Sequence, residues 1–230
     1  MSSGFESTEE LVDRAVRLMK EQDHAAALPL LSRIVAFEPE LAYPYLLWVL
    51  CHIKLGRHER ALELADAGLA KDLAPADMNV QKAMAYRALE RYDEAMLAAQ
   101  AALDIDPEFA DAQHVLIELS ADLHRPELVI EHAREYLRRF GKEPEVLALL
   151  GHAYADRKDY RRADRAFRDA ALLEPELVDH HVNVLMNALT MNDAAGYDRY
   201  LDRLEASDPE LADAAASAVD AIIDAIHDDS

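Results

Sequence analysis

The side chains that could do chemistry in this 230-residue chain are few and scattered. His114 and Glu118 stand four residues apart, on one face of any helix that carries them, and His152 lies 34 residues beyond Glu118. An imidazole, a carboxylate and a second imidazole are a donor set for a divalent metal. With ten histidines spread through the sequence, such groupings also arise by chance, and ordinary polar surface is the competing reading. His180 and His181 are adjacent, so on a helix they point apart and cannot chelate side by side. Cys51 sits inside an apolar run, where a thiol is expected to be buried and inert. No Ser-His-Asp or Cys-His arrangement stands out. Among the six glycines no two fall within six residues of each other, which rules out a dinucleotide fingerprint and a phosphate-cradling loop. The residues predict no catalysis and no cofactor.

Charge narrows the partners. The 45 acidic residues outweigh 24 basic ones to give a net charge of -21, which repels phosphate backbones and anionic bilayers. Nucleic acid and membrane surfaces are therefore not expected partners. The longest apolar stretch, Tyr43 to Ile53, is interrupted by Pro44 and His52 and is too short to span a bilayer. One cysteine cannot close an intrachain disulfide, and the start MSSGFESTEE has no basic and apolar export signal, so a cytoplasmic location is expected.

The elements that must position these side chains are read from a period. Pro39, Pro107, Pro175 and Pro209 fall in one 34-residue register, with Leu73 and Gly141 in the two gaps. Twelve residues before each terminator stand Ala27, Ala61, Ala95, Val129, Ala163 and Tyr197; twelve earlier again stand Ala15, Val49, Ala83, Ile117, Gly151 and Leu185. Between these two series a break recurs at Gln22-Asp23, Gly56-Arg57, Glu90-Arg91, His124-Arg125, Lys158-Asp159 and Asn192-Asp193. Asp23, Asp159 and Asp193 can N-cap the helix that follows. Alanine and leucine dominate and threonine is scarce, so each unit reads as helix-turn-helix in an all-α chain. The paired series mark where two helices cross. Side chains there are small in the first, third and fifth units and bulkier in the fourth and sixth, which predicts wider spacing in those two pairs unless neighbouring side chains compensate. Pro126 is expected to begin a helix, and Pro29 to kink one modestly.

Segments such as LLGHAYADRKDYRRADRAFRDAALLEP (Leu149 to Pro175) and AMAYRALERYDEAMLAAQAALDIDP (Ala83 to Pro107) resemble the tetratricopeptide repeat family. The resemblance covers Thr8 to Pro209 as six tandem repeats, 8–41, 42–75, 76–109, 110–143, 144–177 and 178–209, within a single domain. It implies a right-handed α-α superhelix, a TPR solenoid, whose first helices line a concave surface. A short leader, 1–7, precedes the repeats. A final amphipathic helix, 210–227, reads as a cap that covers the apolar end of the stack.

The register places Val12, Val16 and Met19, then Leu46, Leu50 and Ile53, then Val80, Met84 and Arg87 on the inner stripe of the first three units. His114, Glu118 and Ala121 follow in the fourth, and His152 in the fifth. The first helix of the second unit is apolar nearly all round, since Tyr45, Trp48, Val49 and His52 are expected to face its own pair. A stripe of that kind left in water would form a patch that monomers avoid. Val12, Val16, Tyr43, Leu46, Leu50, Ile53, Val80 and Met84 are the candidate contact residues for an apolar peptide or amphipathic helix of another protein. A second copy of the chain is the alternative occupant, and neighbouring helices that hide the stripe are the competing reading. A metal-binding or enzyme-associated module using His114, Glu118 and His152 is a further alternative. Some members of the family grip a C-terminal carboxylate with Lys, Asn and Arg. The matching positions here are Val12, Val16, Leu47, Asp77 and Gln81, so no carboxylate clamp is expected. Charge is also polarised: Arg134 to Arg168 holds ten bases against six acids, whereas Glu205 to Ser230 holds eight acids and no Lys or Arg. That difference reads either as a solvated outer surface or as a steering contact between copies.

Overall fold

The computed structural model describes residues 6–228, so most of the expected leader 1–7 lies outside the described residues. Thirteen helices and no strand occur among them. They run as α1 (Thr8–Lys20) with α2 (His24–Phe37), α3 (Ala42–Lys54) with α4 (His58–Leu69), and α5 (Pro75–Ala88) with α6 (Tyr92–Ile105). Next come α7 (Ala110–Asp122), α8 (Pro126–Phe140), α9 (Pro144–Asp156) with α10 (Tyr160–Leu173), α11 (Val178–Thr190) with α12 (Ala194–Ser207), and α13 (Pro209–Asp228). The chain forms two compact units, residues 1–119 and 120–230, which divide inside α7.

The periodic breaks have one physical form. Gln22, Gly56, Glu90, His124, Lys158 and Asn192 all take the left-handed conformation, with φ of 63, 70, 58, 52, 60 and 56°. The next residue then donates its N–H back to a carbonyl five positions earlier. Asp23 bonds to Leu18, Arg57 to His52, Arg91 to Tyr86, Arg125 to Ser120, Asp159 to Tyr154 and Asp193 to Ala188, all at 2.8–2.9 Å. This closes the carbonyls left open at the end of the first helix. The same residue is the N-cap of the second helix. Asp23, Asp159 and Asp193 accept from the N–H of Ala26, Arg162 and Gly196 at 3.0, 3.3 and 2.8 Å. Helix α2 continues through Pro29, and Pro126 opens α8.

Both crossing series are buried except at Tyr197, which is half-buried: Ala15, Ala27, Val49, Ala61, Ala83, Ala95, Ile117, Ala163 and Leu185 have no exposed surface. The helix pairs differ in how extensively they are apposed. Within their own units, α5 with α6 (Ala83 and Ala95) and α9 with α10 (Gly151 and Ala163) are the most extensively apposed pairs. Helices α11 and α12, which carry Leu185 and Tyr197, are less extensively apposed than α9 and α10. At Gly151 a Cβ would come within 2.6 Å of Cδ1 and 2.9 Å of Cζ of Phe167, so the fifth pair depends on glycine there. In the fourth repeat Ile117 belongs to the first unit and Val129 to the second, and both are buried.

In the second unit α13 packs on both α11 and α12, adding Ala212, Ala215 and Val219 to a core of Val182, Leu185 and Leu204. Its last turns leave Ile222 and Ile226 at 38% and 59% exposure. The two adjacent histidines of α11 diverge as their spacing dictates. His180 Nε2 lies 3.2 Å from the Glu174 carboxylate. His181 Nε2 donates to the Pro175 carbonyl at 2.8 Å, which leaves Nδ1 to accept from the Tyr200 hydroxyl at 2.9 Å. No helix among the described residues is long and apolar enough to cross a membrane.

Candidate functional site

In the first unit α3 is flanked by α1 on one side and α5 on the other, and the two flanks differ. Helix α5 lies more closely along α3 than α1 does. The looser side opens into a recess of about 280 Å³. Val16 and Met19 of α1 and Tyr43, Leu47 and Leu50 of α3 give it apolar walls. Lys20 and Lys54, the last residues of the two helices, stand at it together with Gln22 and His24. No Asp or Glu among the described residues lines it. Neither lysine has a carboxylate within salt-bridge reach among the described residues, whereas Lys71 and Lys82 are paired with Glu40 and Asp66. His24 is half-buried, and its Nδ1 is enclosed without a hydrogen-bond partner among the described residues.

The structure separates the eight candidate contact residues into three groups. Val16, Tyr43 and Leu50 line the recess, and Tyr43 is 56% exposed. Val12 is half-buried against the core of the first helix pair, and Leu46 and Met84 are half-buried against that of the second. Ile53 and Val80 are sealed inside the protein, at 9% and 4% exposure. Ile53 belongs to the core with Val49, Met78 and Ala85, and Val80 to the next one with Ala83, Ala98 and Leu116. The reading in which neighbouring helices hide the stripe therefore describes its α3–α5 end, while the α1–α3 end stays open.

The opposite side of α3 is packed as its sequence requires. Tyr45, Val49 and His52 are buried, and Trp48 lies edge-on to the Tyr45 ring at 5.8 Å and to the His52 ring at 6.1 Å. Burial, with Arg57 and Arg60 adding to it, pulls the His52 pKa below its ordinary value. Cys51 is a buried free thiol whose pKa burial pushes up to about 11, so the thiolate needed for nucleophilic chemistry is suppressed.

The alternative metal residues are placed apart in function. Glu118 meets Arg87 at 2.8 Å, so its carboxylate already neutralises a cation of the same unit. His114 shares α7 with it and is half-buried. His152 belongs to the second unit, on α9, with its ring edge-on to Phe167 at 5.0 Å. The residues that the sequence reading passed over are Lys20 and Lys54. They are 34 residues apart, and a cation repeated in register was the available signal.

The comparisons with known proteins agree with this architecture. The tetratricopeptide repeat model matches residues 76–109 and 144–177, the third and fifth repeats in the expected register. No curated protein sequence matches the chain. Among solved structures, the type IV pilus biogenesis factor PilW is similar over 88% of this chain and 94% of its own, with 19% identity and a TM-score of 0.75. PilF of Pseudomonas aeruginosa covers 88% and 92%, with 16% identity and a TM-score of 0.71. YrrB, described as a TPR protein with an unusual peptide-binding site, covers 81% and 97%, with 21% identity and a TM-score of 0.59. At these identities the structures share the fold. Residues 76–109 and 144–177 are thus tetratricopeptide repeats, and the all-α repeat fold of the chain is the one that these solved structures share.

Proposed function

We propose that the chain is a non-catalytic scaffold of the cytoplasm that takes an apolar peptide or amphipathic helix of another protein into the recess between α1 and α3. The observation that carries this reading is an apolar recess lined by half-buried Val16 and Leu50 and by exposed Tyr43, on a stripe where Ile53 and Val80 are buried. Its volume is slightly below the range of small-molecule pockets and suits one or two side chains. The shared fold supports a scaffold, and the peptide site named for YrrB gives a precedent for a peptide ligand on that fold. The suppressed Cys51 thiol and the Arg87-bound Glu118 favour binding over chemistry.

Affinity capture from the native host, run in parallel with wild type and Leu50→Asp, tests the reading. Removing a central apolar contact costs about 2 kcal/mol or more at a hot spot. The proposal expects at least one protein to be held by wild type and lost from the variant while both melt alike. Equal retention by the two would remove the recess as the site.

A further inference from the structure

The recess carries a charge opposite to that of the molecule around it. The chain as a whole is strongly acidic, yet among the described residues no carboxylate lines this seat and none pairs with the two ammonium groups at its edge. The other two lysines of the first unit are neutralised, exposed Lys71 by Glu40 and half-buried Lys82 by Asp66. Lys20 and Lys54 also complement the carbonyl ends of α1 and α3, since cations are favoured in a helix's last turn. That accounts for a cation at each helix end but not for the missing acid between them. Two like charges beside one apolar cavity repel each other weakly in isolation and are relieved when an anion sits between them. Tyr43 adds an accessible phenol at the same seat.

We propose that the recess selects an acidic partner segment, seating one of its apolar side chains against Val16, Leu47 and Leu50 while Lys20 and Lys54 meet carboxylates beside it. This rests on the scaffold reading above and names the chemistry of the partner. The expectation from net charge, that an acidic protein has no reason to attract an acidic ligand, holds for the molecular average and not for this site. The two cations act at the rim, so they set selectivity and association rate more than total affinity.

The test is selection from an unbiased displayed peptide library on the immobilised full chain, repeated on Leu50→Asp and on the double variant Lys20→Glu/Lys54→Glu. The inference expects a wild-type pool enriched in Asp and Glu next to Leu, Ile or Phe, no pool on Leu50→Asp, and a pool shifted toward Lys and Arg on the double variant. A selected acidic peptide should bind Lys20→Ala/Lys54→Ala about fivefold more weakly, the range of two exposed charge pairs, and should weaken with salt. An apolar pool without acidic enrichment overturns this inference and leaves the scaffold reading standing. An acidic pool unchanged on the double variant also overturns it. No pool from wild type removes both.

Discussion

The two sides of α3 in the first unit began from the same kind of sequence and ended differently. On the α5 side, Ile53 and Val80 are sealed, and Arg87 and Glu118 close a half-buried ion pair on the stripe beyond them. On the α1 side, Val16, Leu47 and Leu50 border an open recess, with unpaired lysines at its edge. The difference lies in how closely neighbouring first helices lie together, and side-chain identity on the stripe does not report that. An apolar residue at an inner position becomes core where the next helix leans in, and becomes accessible surface where it does not.

Two substitutions, one titration and one double-mutant cycle break or sharpen this contrast. The largest effect belongs to the sealed side. Val80→Asp places a carboxylate among Ala83, Ala98 and Leu116, and the buried, unpaired charge should cost about 3–5 kcal/mol, read as a loss of cooperative melting. On the open side Leu50→Asp should change stability by about 1 kcal/mol or less while costing about 2 kcal/mol in partner binding, measured by denaturation and by capture in parallel. Similar stability losses at Val80 and Leu50 would erase the distinction.

The titration concerns the packed face of α3. His52 is held neutral, because burial and then Arg57 and Arg60 lower its pKa in the folded state, while the unfolded chain titrates near the ordinary value of about 6.5. Stability should therefore be level above that pH and decline as the pH falls below it, where the unfolded chain takes up a proton that the folded chain resists. His52→Leu should flatten that part of the curve. The smallest effect is at the ion pair. A double-mutant cycle on Arg87 and Glu118, both about one-third exposed, should return about 0.5–1 kcal/mol by denaturation.

Much of the fold is legible in the sequence because it rests on local rules. Each break lies where the 34-residue register places it, since a left-handed residue followed by an N-cap is a short-range device, and the three capping aspartates are chosen for it. The crossing residues are legible for the same reason: the register that sets the breaks also places Ala83 and Ala95 in the buried seam between α5 and α6. The irregular terminators were less so. Leu73, in a position where other repeats carry proline, is buried, its N–H bonded to the Gly68 carbonyl, and Ala74 then takes a φ of 40° to start α5. The site was legible only in part. Register identified the apolar stripe, but the burial of Ile53 and Val80 depends on the approach of α5 to α3, a tertiary distance that no single helix encodes. Lys20 and Lys54 were hidden by the average charge of the chain, which dominates any argument made from composition.

The central claim is that the α1–α3 side of the first unit is a binding seat and the α3–α5 side is core. Methyl-resolved NMR of the full chain, titrated with a peptide that it selects, addresses both halves at once. The account predicts shifts concentrated at Val16, Leu47 and Leu50 with Val80 unmoved. Shifts centred on Val80, or on methyls remote from α1 and α3, would contradict it.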